Sequence, residues 1–117
     1  MDEKLVFGLA ALMFATIGLS AAEIPNLVGN WTGSYEGYAN GIGYKAANET
    51  DAITLVISEQ QGRLFTGNLR EMGQGTAAVS GVIALDNQTF YMTESDGGYD
   101  IGTVLTSDTI ELLYLED

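Results

Sequence analysis

No cysteine and no histidine occur among the 117 residues of this chain. Without thiols there is no disulfide, no thiolate metal ligand and no cysteine nucleophile. Without imidazole the usual general base and the commonest zinc ligand are missing as well. Basic residues are nearly as scarce, with four Lys and Arg against 16 Asp and Glu and a net charge of −12. A surface that negative repels phosphate backbones and anionic headgroups, which argues against nucleic acid as a partner. Helix periodicity is sustained nowhere after Pro25, the only proline. What is present is apolar: 46% of the residues are hydrophobic, too many for a disordered chain, and the length holds a single domain.

The one long apolar run stands at the start. LVFGLAALMFATIGL begins at Leu5, carries no charge, and is followed by the small residues Ser20, Ala21 and Ala22 ahead of Glu23. That is the layout of a secretory signal cleaved after Ala22, although Asp2 and Glu3 outnumber Lys4 in front of it. A retained membrane anchor is the other reading, since residues 5–22 give about 18 residues at ~1.5 Å rise, just under the usual span. On both readings 1–22 is a signal or helical anchor segment, and 23–117 is one acidic domain that is secreted or held at the cell surface. The lack of cysteine fits an exported prokaryotic protein better than a small secreted eukaryotic one, which commonly needs disulfides. Three Asn-x-Thr triplets, starting at Asn30, Asn48 and Asn87, are glycan acceptors if the cell glycosylates exported proteins. Asn48 and Asn87 lie in turn-like contexts. Asn30, beside Trp31 in a strand, needs an outward-facing side chain.

Beyond Pro25 the chain breaks into short runs that alternate apolar and polar residues between Gly, Asn and Asp, the texture of an all-β domain. Residues 27–36 read as a first strand with Trp31, Gly33 and Tyr35 on one face. Residues 39–51 read as a long Gly-rich loop with one short strand near 42–45. Residues 53–58 and 64–69 flank a turn at 59–63, and 78–84 and 89–94 flank a turn at 85–88. Ser95-Asp96-Gly97-Gly98 then turns the chain into 99–105, with Gly97 and Gly98 both expected at positive φ. A last turn at 106–108 leads to 109–115. This describes a seven- to eight-stranded antiparallel up-and-down meander. The glycines inside strands, Gly33, Gly67, Gly81 and Gly102, mark sharp bends or close approaches and favour a closed or nearly closed barrel over a flat sandwich.

Gly29-Asn30-Trp31 at the opening of such a meander resembles the Gly-x-Trp signature of calycins, the lipocalin and avidin group of ligand-binding barrels. In lipocalins an Arg of the last strand covers that Trp, whereas the last strand here, TIELLYLED, holds none. With Trp31 alone there is no aromatic cage of the avidin kind, so biotin is not implied. A fuller resemblance, over NLVGNWTGSYEGY, ITLVISEQQGRLFTGNL, SGVI, DGGYDIG and IELLYLED, is to small exported archaeal β-proteins. It implies the β-fold and export, assigns no activity, and implies a barrel left open at its last edge.

Few side chains offer catalysis. Glu94, Asp96 and Asp100 surround one hairpin, and paired carboxylates serve glycoside hydrolysis, but turn chemistry alone accounts for Asp96 and glycosidases use deep clefts in larger folds. The same turn lacks the ligand spacing of a calcium loop. No enzyme activity, cofactor or metal is therefore expected. The aromatic residues are more suggestive. Tyr35, Tyr38, Tyr44 and Tyr99 gather near the Gly-rich loop at the presumed barrel mouth, and tyrosine combines a flat apolar face with a hydroxyl. The expectation is an exported, non-enzymatic binding module holding a small apolar or saccharide ligand there. The alternative is a structural or envelope-associated protein acting by self-association or anchoring.

Overall fold

In residues 64–71 every second residue from Phe65 to Leu69 is buried, the two large apolar side chains standing either side of Gly67, and the same period of two recurs in other strands. The computed structural model describes residues 23–116, all strand, turn or loop, so the segment 1–22 lies outside the described residues. Nine strands form: β1 (Gly29–Gly33), β2 (Tyr35–Ala39), β3 (Gly43–Ala47), β4 (Ile53–Gln61), β5 (Leu64–Glu71), β6 (Gly75–Ile83), β7 (Thr89–Glu94), β8 (Tyr99–Thr106) and β9 (Thr109–Leu115). Seven of them make one curled antiparallel sheet, a half-barrel in the order β1-β4-β5-β6-β7-β8-β9. β2 and β3 pair only with each other.

Two features depart from a simple meander. The expected first strand is two strands, because the chain leaves the sheet after Gly33 and enters the β2–β3 hairpin, then returns at Ile53 to pair β4 with β1. Among the described residues the sheet also ends in two free edges, since β1 and β9 are not paired with each other. The turn expected at 59–63 shrinks to Gly62 and Arg63, with Gly62 at φ 59° and Glu59, Gln60 and Gln61 extending β4.

Bulges near Ser58 in β4 and Leu105 in β8 add local twist and help the sheet curl. Its concave face carries the core: Leu55, Ile57, Phe65, Val79, Ile83, Phe90 and Met92 are buried together with Leu27, and Trp31, Ile110 and Leu112 pack at the margin. Leu27 is drawn in by Gln60, whose Oε1 accepts from the Leu27 amide at 2.8 Å while Nε2 donates to the Pro25 carbonyl at 2.9 Å. Trp31 Nε1 donates to the Leu27 carbonyl at 2.9 Å.

Three of the four strand glycines are explained by close approach. A Cβ on Gly67 would lie 1.9 Å from the Val56 carbonyl oxygen. On Gly81 it would meet the Phe65 ring at 2.2 Å, and on Gly102 the Phe90 ring at 2.0 Å. Each phenylalanine sits directly across from its glycine in the register, and the two rings meet edge to face at 5.7 Å. Gly33 has open space around its Cα, and nothing in its surroundings demands glycine.

The register sorts the turns to two ends. At one end lie the β4–β5 turn, residues 84–88 and residues 106–109. At the other lie the β2–β3 hairpin, the β5–β6 turn and residues 95–98. Arg63 closes the first end, buried at 2% exposure and donating from Nη1 to the Ile83 and Ala84 carbonyls. Burial draws its pKa down and the Asp86 carboxylate opposes that shift.

Candidate functional site

All four tyrosines expected at the barrel mouth lie at the hairpin end of the sheet, but the structure does not gather them into one site. Tyr38 and Tyr44 are cross-strand partners in the β2–β3 hairpin, their rings edge to face at 5.5 Å and 66°. Tyr38 is 85% exposed and Tyr44 58%. At the hairpin tip Ile42 is also exposed, held by its amide donating to the Ala39 carbonyl at 3.0 Å between Gly41 and Gly43, both at positive φ. The Tyr44 hydroxyl donates to Glu36 Oε2 at 3.3 Å, and the Glu36 charge raises the Tyr44 pKa.

Tyr35 begins β2 on the opposite face of the hairpin. It is half-buried beside Glu71, whose carboxylate raises the pKa of the phenol. Tyr99 lies on the convex face of β8, across from Thr93 and Leu115 and separated from the hairpin by the width of the sheet. The exposed apolar element of the hairpin is therefore the Tyr38–Tyr44 aromatic pair with Ile42, of which Ile42 was not expected. Its signal was an isolated large apolar residue between two glycines of a loop.

Beside Tyr35, a depression of about 190 Å³ is lined by Asp51, Arg70, Glu71, Met72, Gly73, Gln74 and Gly75. It includes none of the four tyrosines and is smaller than the roughly 300 Å³ at which ligand pockets begin. The concave face of the half-barrel is filled by the core side chains rather than hollow.

The densest polar chemistry lies in the adjoining strands. Glu94 follows Phe90 and Met92 on the inward face of β7, and Asp100 precedes Gly102 and Val104 on the inward face of β8. Both carboxyls are buried, Glu94 at 7% and Asp100 at 2% exposure, and each perturbs the titration of the other. No N–H or hydroxyl reaches Glu94 Oε2 or Asp100 Oδ2, so neither of these oxygens is compensated for its loss of water. Burial pushes the Glu94 pKa up to about 9, with further contributions from Asp100, Asp96 and Glu116. Burial also raises Asp100, against the opposing effect of Glu94. The pair thus holds one proton at neutral pH, as two adjacent acids out of water must. Tyr114, opposite Asp100 in β9, covers this end; burial and the surrounding acids raise its pKa. Its ring presses on Gly98, where a Cβ would lie 2.4 Å away. Gly98 is therefore required for space, and only Gly97, at φ 106°, for positive φ. Carboxyls so enclosed have no open approach for a substrate. Among the described residues no three Asp or Glu side chains come together in a cluster that could hold a metal ion.

Of the three sequon asparagines, Asn30 and Asn48 are exposed, while Asn87 is partly buried in a turn at φ 57°. Asn30 points outward, which is the condition its strand position imposed. No family model matches the chain, and no curated protein or solved structure matches it. Its function is therefore read from its own geometry.

Proposed function

We propose that this chain is an exported, non-enzymatic binding module that takes a saccharide on the exposed face of its β2–β3 hairpin. The observation that carries the reading is the Tyr38–Tyr44 pair with Ile42, three large side chains left in water on an element that contributes nothing to the core. A two-stranded hairpin is marginal alone, and exposed apolar groups on it gain only when something covers them. The choice of ligand follows from shape. A small apolar molecule binds by being enclosed, which a projecting hairpin cannot do. A sugar ring can lay its C–H face on one tyrosine and keep its hydroxyls in water, with the Glu36 carboxylate as an acceptor beside the ring.

Covering about 80 Å² of Tyr38 at ~25 cal/mol per Å² is worth about 2 kcal/mol, or roughly thirtyfold in affinity. Electrophoresis through gels containing soluble polysaccharides tests the reading. The wild-type chain is expected to be retarded by at least one of them, with the retardation lost in Tyr38→Ala and reduced in Tyr44→Ala. Equal retardation of wild type and Tyr38→Ala, or none in any polysaccharide, overturns it.

A further inference from the structure

The outer edge of β9 has no hydrogen-bonded neighbour among the described residues. Natural edge strands are usually blunted by Pro, Lys, a bulge or a covering loop. β9 reads TIELLYL, with no Pro or Lys and a single charge at Glu111, and its one register irregularity lies at the far end opposite Val104 and Thr106. On the convex face, cross-strand register lines up Leu64, Val82, Tyr91, Ile101 and Leu113 in one apolar row ending at this edge. Tyr91 and Leu113 are about half exposed, and so are Tyr99 and Leu115 in the neighbouring row. An apolar row that runs out to an unblocked edge fits another strand presenting the same pattern.

The geometry points to a second copy of this chain as that partner, through antiparallel pairing of β9 with its counterpart about a two-fold axis at Leu113. Charge and strand overlap together select the register, since centring the pair on Ile110 also keeps acids apart but overlaps only residues 109–111 of β9. Centring the pair on Glu111 sets Glu111 against itself, and centring it on Leu112 sets Asp108 against Glu116 at both ends. Centred on Leu113, no acid faces an acid: Glu111 meets Leu115, Leu112 meets Tyr114, and Leu113 meets Leu113. The apolar row then continues unbroken from one half-barrel into the other, in a sheet of 14 strands, seven from each copy. Edge pairing with the flanking side chains buries about 1,000 Å² in total, at the low end of specific interfaces, so the dimer is concentration-dependent. Each copy carries −12, so association strengthens as salt screens that repulsion. This surface is independent of the hairpin and of the saccharide reading.

The absence of native cysteine makes a single introduced thiol an unambiguous reporter. Sedimentation equilibrium of the full chain up to about 0.5 mM, at low and high salt, is expected to show a monomer–dimer equilibrium shifted toward dimer at high salt. Under mild oxidation Leu113→Cys is expected to form an intermolecular disulfide roughly tenfold faster than Leu112→Cys or Leu105→Cys, because only in this register do the two Leu113 Cα atoms face each other. Leu113→Lys, at an exposed position that leaves the fold intact by circular dichroism, is expected to abolish the dimer. A monomer at every concentration and salt overturns the proposal. So does equal cross-linking of the three cysteine variants, or a dimer indifferent to Leu113→Lys.

Discussion

Replacing Glu94 by glutamine should abolish most of the pH dependence of stability between pH 5 and 8. With neither His nor Cys, the chain has almost nothing else that titrates in that interval. Glu94 is the exception, its pKa raised by burial from 4.5 to about 9. A raised folded pKa means that the native state holds a proton the unfolded chain releases. The stability that Glu94 contributes is therefore full below about pH 4.5 and is lost as pH rises toward 9. One proton over three pH units, at ~1.4 kcal/mol per unit, sets a ceiling of about 4 kcal/mol; relaxation and water entry on ionisation reduce it to about 2–3 kcal/mol. The substituted amide would be neutral at every pH and could still donate to Asp100. The assay is urea denaturation followed by Trp31 fluorescence at each pH. The wild type should lose stability steadily from pH 5 to 8, while Glu94→Gln should match it at pH 5, stay nearly flat and exceed it at pH 8. Wild-type stability that is constant or rising over this range would refute the buried, protonated pair.

Gly102→Ala places a methyl in the Phe90 ring and should cost about 1–3 kcal/mol in the same denaturation assay, whereas Gly33→Ala, in open space, should cost under about 1 kcal/mol. Gly97→Val forces a β-branched residue to φ 106° and should lower stability by roughly 1–3 kcal/mol. Thermal melts in millimolar calcium and in chelator should coincide, because Asp100 is turned inward to Glu94; a shift of several degrees that disappears in Asp100→Asn would show an ion bound in the 96–100 turn.

Much of the sheet was legible because β5 and β7 alternate and turns carrying Gly, Asn or Asp separate β4 to β9; β9 matches its expected span of 109–115. The departure of β2 was hidden because WTGSYEGY keeps its period of two through Ser34, where the chain leaves the sheet. Alternation records which face a residue occupies and not which strand it pairs with, so neither the β1–β4 pairing nor the open edges could be read from it. Glu94 and Asp100 carried a usable signal, since each falls on the inward face by period, next to Met92 and Gly102. Turn composition around Asp96 obscured it. Arg63 looked like a turn residue, yet it stands two before Phe65 on the inward face and is buried. The grouping of Tyr38 with Tyr44, and the exclusion of Tyr35 and Tyr99, depend on the hairpin register and the sheet order, which are properties of the fold.

The most direct measurement of the saccharide reading is the set of backbone amide resonances that move when oligosaccharides from a retarding polysaccharide are titrated into the full chain. Shifts should concentrate at residues 36–46, centred on Tyr38, Ile42 and Tyr44, with little change in β5 to β9. Shifts confined to the 71–75 depression or to the convex face around Tyr99, with the hairpin silent, would contradict it.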